Sequence, residues 1–253
     1  MEDNSLILST HGVTKNFGEF IAVDNVDFEL RQQETVGIIG PNGAGKTTFL
    51  NILTGFYVPE QGQVYSGGVD ITHYSPEKRA ALGIARTFQL VHVFDNLSVR
   101  DNMALSFFRK NEDKALSLRM FFGTLFQDTI SKKVQESLEM FELEHLKNEL
   151  VGNLSLGSKK LLELAMAFVA EPKVLVLDEP FAGLGDHEID EVVAVLKKYT
   201  HDKTILVVEH KISKLKECVD NIAVMHEGRV ICYGECEETL NHPEVRRCYW
   251  KLS

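Results

Sequence analysis

Near the start of the chain, apolar and polar residues alternate. Val26, Phe28 and Leu30 are separated by Asp27 and Glu29, the period-two pattern of a strand with one buried face. Thr35-Val36-Gly37-Ile38-Ile39 predicts a second, more continuously apolar strand. It runs straight into Gly40-Pro41-Asn42-Gly43-Ala44-Gly45-Lys46-Thr47-Thr48. Beyond that, Phe49, Leu50, Ile52 and Leu53 recur at helical spacing, and Gly55 supplies a stop. Gln63-Val64-Tyr65 and Val69-Asp70-Ile71 flank Ser66-Gly67-Gly68, which predicts a small hairpin. From about Ser98 to Leu150 the period becomes helical, with Val134, Leu138 and Phe141 on one face. The last third predicts a helix over Ser158 to Ala170, a strand from Lys173 to Leu177 and a helix with Ile189, Val192, Val193 and Leu196 on one face. A strand from Thr204 to Val208 follows, and then a tight turn at Glu227-Gly228-Arg229 between two short strands. Strands alternating with helices predict an α/β fold with a parallel sheet, interrupted by a helical insert near 90–155.

Composition narrows the class. With 253 residues, 44% of them apolar, the chain can bury one sizeable core. Its 25% charged residues are ordinary for a globular protein. Disordered, collagen-like and disulfide-scaffold classes are excluded. Asp and Glu outnumber Lys and Arg by 37 to 27, and such an acidic surface repels phosphate backbones, so no nucleic-acid partner is expected. Cys218, Cys232, Cys236 and Cys248 form no Cys-x-x-Cys pair, which fits reduced thiols in a cytosolic protein. No apolar run approaches the ~18 residues of a membrane span, and Met1-Glu2-Asp3-Asn4 lacks the start of a secretory signal. If the protein works at a membrane, a partner must hold it there.

The chemistry begins at Gly40–Thr47, which fits G-x-x-x-x-G-K-[ST], the P-loop. Glycines let the backbone wrap closely so that N–H groups point inward at phosphate oxygens, and the following helix adds its positive end. Lys46 is placed to reach the β- and γ-phosphates and Thr47 to offer a hydroxyl to Mg²⁺. Further on, the strand Val174-Leu175-Val176-Leu177 ends in Asp178-Glu179. Acids at the carboxyl end of a parallel strand lie where ligands bind. Asp178 suits a Mg²⁺ shell, and Glu179 suits orienting or deprotonating a water for attack on a γ-phosphate. A bland alternative for the pair is to neutralise a helix N-terminus.

Gly40–Thr48 followed by Leu177-Asp178-Glu179-Pro180 resembles an ABC-transporter ATPase, and further family elements appear in order. Gln89, in Arg86-Thr87-Phe88-Gln89, matches the Q-loop glutamine, which touches Mg²⁺ and water. His210, after Ile205–Glu209, matches the switch histidine. Phe17, in Lys15-Asn16-Phe17-Gly18, matches the aromatic under adenine. Leu154-Ser155-Leu156-Gly157-Ser158 occupies the signature position. There Ser155 and Gly157 match the hydroxyl and backbone N–H that meet a γ-phosphate held by the other subunit. The family pattern is Leu-Ser-Gly-Gly-Gln, so Leu156 and Ser158 are departures. Gly185 likewise replaces a common Asp, and Asp186 is expected to cap the next helix. The resemblance implies one ABC ATPase domain over 1–253. It would have a P-loop NTPase (RecA-like) core at about 1–89 and 171–253 with an antiparallel β subdomain, and an inserted α-helical subdomain at about 90–170. ATP and Mg²⁺ are the implied cofactors, with Thr47, Gln89 and Asp178 toward the metal and Glu179, His210 and Gln89 toward the chemistry.

Leu53-Thr54-Gly55-Phe56-Tyr57, Gly83–Gln89 and the long helical stretch 103–141 are similar to the ATPases of branched-chain amino acid importers and, nearly as closely, of urea and amide importers. Lipopolysaccharide-export ATPases share Asp178–Gly183 but have a shorter helical region. A soluble, non-transport ABC ATPase is the other class to weigh. One P-loop and no sustained heptad speak against the tandem translation and coiled-coil repair forms. The implied partners are a second ATPase subunit, identical or different, two membrane permeases and indirectly a solute-binding protein. The implied place is peripheral, at the cytoplasmic face of the inner membrane. The apolar run Leu90-Val91-His92-Val93-Phe94 is read either as part of the helical core or as a groove for a permease helix.

Overall fold

The computed structural model describes residues 5–87, 93–110, 124–199 and 203–250. It divides into two compact units, one of residues 1–86, 173–181 and 196–253, the other of 87–172 and 182–195. The segment 182–195, placed with the ATP-binding core on sequence grounds, groups with the helical unit.

The first unit carries two sheets. Strands β1 (Leu6–Phe17) and β2 (Phe20–Arg31) form a long antiparallel hairpin. In β2, Val26, Phe28 and Leu30 are buried while Asn25, Asp27 and Glu29 are exposed, as their alternation predicts. With β4 (Gln61–Ser66) and β5 (Val69–Asp70) they make a four-stranded sheet ordered β2-β1-β4-β5. The second sheet holds β3 (Thr35–Ile39), β6 (Ile84–Arg86), β7 (Val174–Asp178), β8 (Ile205–Val208), β9 (Asn221–His226) and β10 (Arg229–Glu235), in the order β10-β9-β3-β8-β7-β6. From β9 to β6 all neighbours are parallel, and β10 closes the edge antiparallel to β9. Every residue of β3, β7 and β8 is buried, which is why these strands read as unbroken apolar runs rather than alternating ones.

Helix α1 (Lys46–Leu53) buries Phe49, Leu50, Ile52 and Leu53 completely, and Phe49 meets Phe28 edge-on at 5.5 Å. After α1 the chain turns through Gly55, at φ +84°. The carbonyls of Ile52 and Leu53 at the end of α1 are gathered by a residue that no sequence pattern marks. Arg79, on α2 (Pro76–Ala81), is 1% exposed. Its guanidinium donates to the carbonyls of Ile52, Leu53, Thr72 and Tyr74 at 2.6–3.2 Å. Burial lowers its pKa to about 10, against the pull of Asp70, so it stays charged at neutral pH. Arg79→Met fills the space but removes the donor shared by four backbone carbonyls, of which Ile52 alone keeps another, the Gly55 N–H at 3.3 Å. The expected loss is about 3 kcal/mol of stability, read from the denaturant midpoint. An unchanged midpoint would mean the four bonds add nothing net.

The second unit is built on α3 (Val99–Lys110), α4 (Thr124–Met140), α5 (Leu156–Val169) and the start of α6 (Asp186–Tyr199). Val134, Leu138 and Phe141 are buried, as their helical spacing predicts, and Phe141 packs edge-on against Phe168 at 5.3 Å. Helix α5 begins two residues earlier than its pattern suggests, because Ser155 caps it by accepting the N–H of Ser158. Asp186 is the first residue of α6 rather than its cap. Glu188 reaches back to the N–H of Gly185 instead, at 3.0 Å, the N3 carboxylate half of a capping box. Fully buried Asn102 accepts the Phe94 N–H and donates to the Phe94 carbonyl, fixing the loop that presents Phe94, 57% exposed. Leu90, Val91 and His92 lie outside the described residues.

Candidate functional site

Strand order decides what meets at the site. Because β3, β8 and β7 are parallel neighbours, their carboxyl ends bring Gly40–Lys46, Glu209-His210 and Asp178-Glu179 to one edge of the sheet, where such folds bind ligands. Gly40 follows β3 so closely that a Cβ would stand 2.3 Å from the Met225 carbonyl, and one on Gly45, at φ +97°, would meet the Ala22 carbonyl at 2.2 Å. Only glycine fits either position. The loop is anchored by the Gly228 N–H, which donates to the Ala44 carbonyl. Pro41 is half-buried, Asn42 and Gly43 are exposed and Ala44 is buried. Gly45 offers α1 no side-chain cap, and the first turn holds no acid. The opening N–H groups of α1 are therefore free of a competing side-chain anion, which suits phosphate.

Lys46 is 6% exposed, and its ammonium donates to the carbonyls of Gly40 and Pro41 at 2.8 and 3.1 Å. Burial lowers its pKa, while the charges of Glu179 and Asp178 oppose that shift. Its charge therefore acts in the space between the P-loop and the acids that end β7. Thr47 is exposed and Thr48 half-buried. Asp178 is 5% exposed and pairs with Arg86 of β6 at 2.7 Å. Arg86 also donates to Asn51 Oδ1 and Thr54 Oγ1 on the Lys46 helix and its end. A Mg²⁺ ion at Asp178 would share this carboxylate with a guanidinium. The hard oxygens of Asp178 and Thr47 are the right donor type for it.

Glu179 has a positive φ of +50°, a strained conformation for a residue with a side chain, of the kind that collects at functional sites. Its carboxylate lies 3.1 Å from His210 Nε2. Phe17 is 46% exposed rather than a core residue. Tyr57 meets it edge-on at 5.4 Å, and the Lys15 ammonium lies 5.5 Å from its ring centre, leaving a braced aromatic at the tip of the β1–β2 hairpin. Gln89 lies outside the described residues.

In the second unit, Ser155 is exposed at the start of α5, its hydroxyl 3.2 Å from that of Ser158. The Gly157 N–H is engaged: it donates to Glu188 Oε1 at 3.0 Å. Leu156 is 44% exposed, beside Gly183. Sequence reasoning missed Arg86 and Glu188 as site residues. Arg86 stands in the segment that carries Gln89, but nothing in that segment marks it as the partner of Asp178. The position of Glu188 three residues after Gly185 was the one available signal, a capping spacing.

A parallel α/β sheet with a P-loop on one strand and an acid pair on the next but one defines a P-loop nucleotide-binding protein. Residues 23–182 match the ABC transporter family, and the chain belongs to that family. The high-affinity branched-chain amino acid transport ATP-binding protein LivG of Escherichia coli K12 is 35% identical, covering 96% of this chain and 97% of that protein. The probable branched-chain amino acid transport ATP-binding protein LivG of Methanocaldococcus jannaschii is 34% identical, with coverage of 98% and 99%. The ADP conformation of MJ1267, an ATP-binding cassette of an ABC transporter, superposes with a TM-score of 0.82 at 32% identity, covering 97% of this chain and 99% of that one. A dimeric post-hydrolysis state of the cassette MJ0796 bound to ADP and Pi gives 0.76 at 25% identity, with coverage of 91% and 99%. The expected class, an ABC ATPase on a P-loop α/β fold, is the class found. Among the described residues no helix is long and apolar enough to cross a membrane.

Proposed function

We propose that this chain is the ATP-hydrolysing subunit of an importer for branched-chain amino acids, held at the cytoplasmic face of the membrane by two permease subunits. The observation that carries the chemistry is the 3.1 Å contact of Glu179 with His210, on neighbouring strands beside the P-loop. The adenine of ATP stacks on Phe17. Its phosphates take the N–H groups of Gly43–Thr48, and Lys46 turns from the Gly40 and Pro41 carbonyls to the β- and γ-oxygens. Thr47, Asp178 and Gln89 would hold Mg²⁺, which neutralises charge on the β- and γ-phosphates. Glu179 accepts a proton from water as the water oxygen bonds to the γ-phosphorus, and the bond to the ADP oxygen breaks. His210 keeps Glu179 in place and donates to the γ-phosphate. Ser155 and Gly157 act on ATP held by a second ATPase subunit. The dimeric, ADP- and Pi-bound MJ0796 supports such pairing.

The names of the relatives, branched-chain amino acid transport ATP-binding proteins, favour branched-chain amino acids over urea or amides and over lipopolysaccharide. Reconstitution with two permease subunits and a solute-binding protein of the branched-chain amino acid type tests the substrate. ATP-dependent uptake of leucine is expected, and uptake of urea alone would overturn the assignment. Phe94, pinned outward by Asn102, is the proposed permease contact. Phe94→Asp is expected to release the permeases with ATP affinity unchanged, as read by co-purification. Permeases that stay bound would remove Phe94 from the interface.

A further inference from the structure

One strongly buried carboxylate has no part in the chemistry above. Glu209 ends β8 next to His210 and is 3% exposed. Its oxygen Oε1 accepts the Phe181 N–H at 2.6 Å. The other oxygen accepts the His210 N–H at 2.9 Å and the Lys211 N–H at 3.5 Å. Pro180 has no N–H, so Phe181 carries the first donor after Glu179. One side chain thus ties the backbone leaving Glu179 to the backbone of His210, and on the far side of that tie the two side chains meet at 3.1 Å. A core position chosen for packing alone would hold an apolar residue, because burying a carboxylate is costly unless its hydrogen bonds are made. Burial pushes the Glu209 pKa up and the nearby Glu179 charge adds to this, while the three backbone donors act against both.

We propose that Glu209 is a positioning residue for ATP hydrolysis, holding Glu179 and His210 in register by accepting backbone N–H groups from both of their segments. This rests on the roles proposed above for Glu179 and His210. Glutamine at 209 keeps the volume and one acceptor oxygen, but its NH₂ faces a backbone N–H and cannot accept from it. Either the Phe181 or the His210 attachment is lost. Aspartate keeps the charge but is one methylene too short to span both. Register matters because a displacement of about 1 Å costs a near-attack geometry on the order of 100-fold in rate.

The test uses the full chain and measures steady-state ATP hydrolysis, affinity for a non-hydrolysable ATP analogue and the thermal midpoint. The variants are Glu209→Gln, Glu209→Asp, His210→Ala, the Glu209→Gln/His210→Ala double variant and Glu179→Gln. Glu209→Gln and Glu209→Asp are expected to lower kcat at least 10-fold, with KM and analogue affinity within about 2-fold of the parent. On the His210→Ala background, Glu209→Gln should cost less than it does alone, because only its hold on the Glu179 segment is left to lose. A purely structural Glu209 would instead lower the thermal midpoint and multiply its loss in full onto that of His210→Ala. That outcome overturns the proposal, as does parental kcat in either folded Glu209 variant. If Glu209→Gln does not fold, Glu209→Asp decides. A parental rate in Glu179→Gln would instead strike at the roles assigned to the site itself, so the two failures are distinguishable.

Discussion

Glu179→Gln is expected to retain ATP binding and to lose turnover by a factor of about 10²–10⁴, the range set by removing a general base. The amide is the same size and can still accept a hydrogen bond from His210, 3.1 Å from the native carboxylate, but it cannot take a proton from water. Lys46→Ala is expected to fail earlier, at binding. Its ammonium is a buried charge aimed at the P-loop, and a charge-assisted bond to phosphate is worth about 1.5–3 kcal/mol. ATP affinity should therefore fall by roughly 10- to 150-fold. Isothermal titration with ATP and a steady-state phosphate-release assay separate the two variants. If Glu179→Gln releases phosphate at the parental rate, the base lies elsewhere.

What was legible in the sequence was what local pattern encodes. The P-loop was readable because its glycines, its lysine and the flanking apolar strand and helix are contiguous, and a Cβ at Gly40 or Gly45 would collide with backbone. Asp178-Glu179 was readable because β7 is buried throughout and ends there. The partners of those residues were not readable, since each comes from far along the chain. Arg86 reaches Asp178 from β6, a three-residue strand too short to show a period. Arg79 closes the end of α1 from another helix. Glu209 precedes the matched histidine, yet nothing in a strand-end glutamate announces a bond to Phe181. At Phe17, core placement is the prior for an isolated phenylalanine, and only the motif around it pointed outward, where the ring is found.

The signature segment gives the other large effect. Ser155 belongs to the second unit and Lys46 to the first, and the proposed reading has Ser155 act on ATP bound to another chain. As a mere helix cap, its hydroxyl would be worth about 1 kcal/mol of stability, and no nucleotide effect would cross between chains. Ser155→Arg and Lys46→Ala, each expected to be nearly inactive as a pure dimer, separate the two readings when mixed. If the chain pairs with itself and Ser155 acts across the dimer, a mixed dimer concentrates both lesions in one composite site and keeps the other intact. Random pairing makes half the dimers mixed, so independent sites should recover roughly a quarter of the parental phosphate release. If Ser155 acts within its own chain, every site stays damaged and nothing is recovered. If the chain pairs only with a different ATPase, the second lesion goes into the partner's P-loop lysine. The Gly157 N–H is already spent on Glu188 and Leu156 stands exposed beside it. On the proposed reading, an arriving γ-phosphate has to displace a carboxylate from the start of α5 and pass an isobutyl group where the family has glycine. The ATP held by the partner is then expected to turn over more slowly than the ATP held by Lys46. Glu188→Gln weakens the occupant's hold by removing its charge, so it should narrow the gap. Equal single-site rates in the mixed dimer would remove the asymmetry, and a gap unmoved by Glu188→Gln would assign it to Leu156 alone.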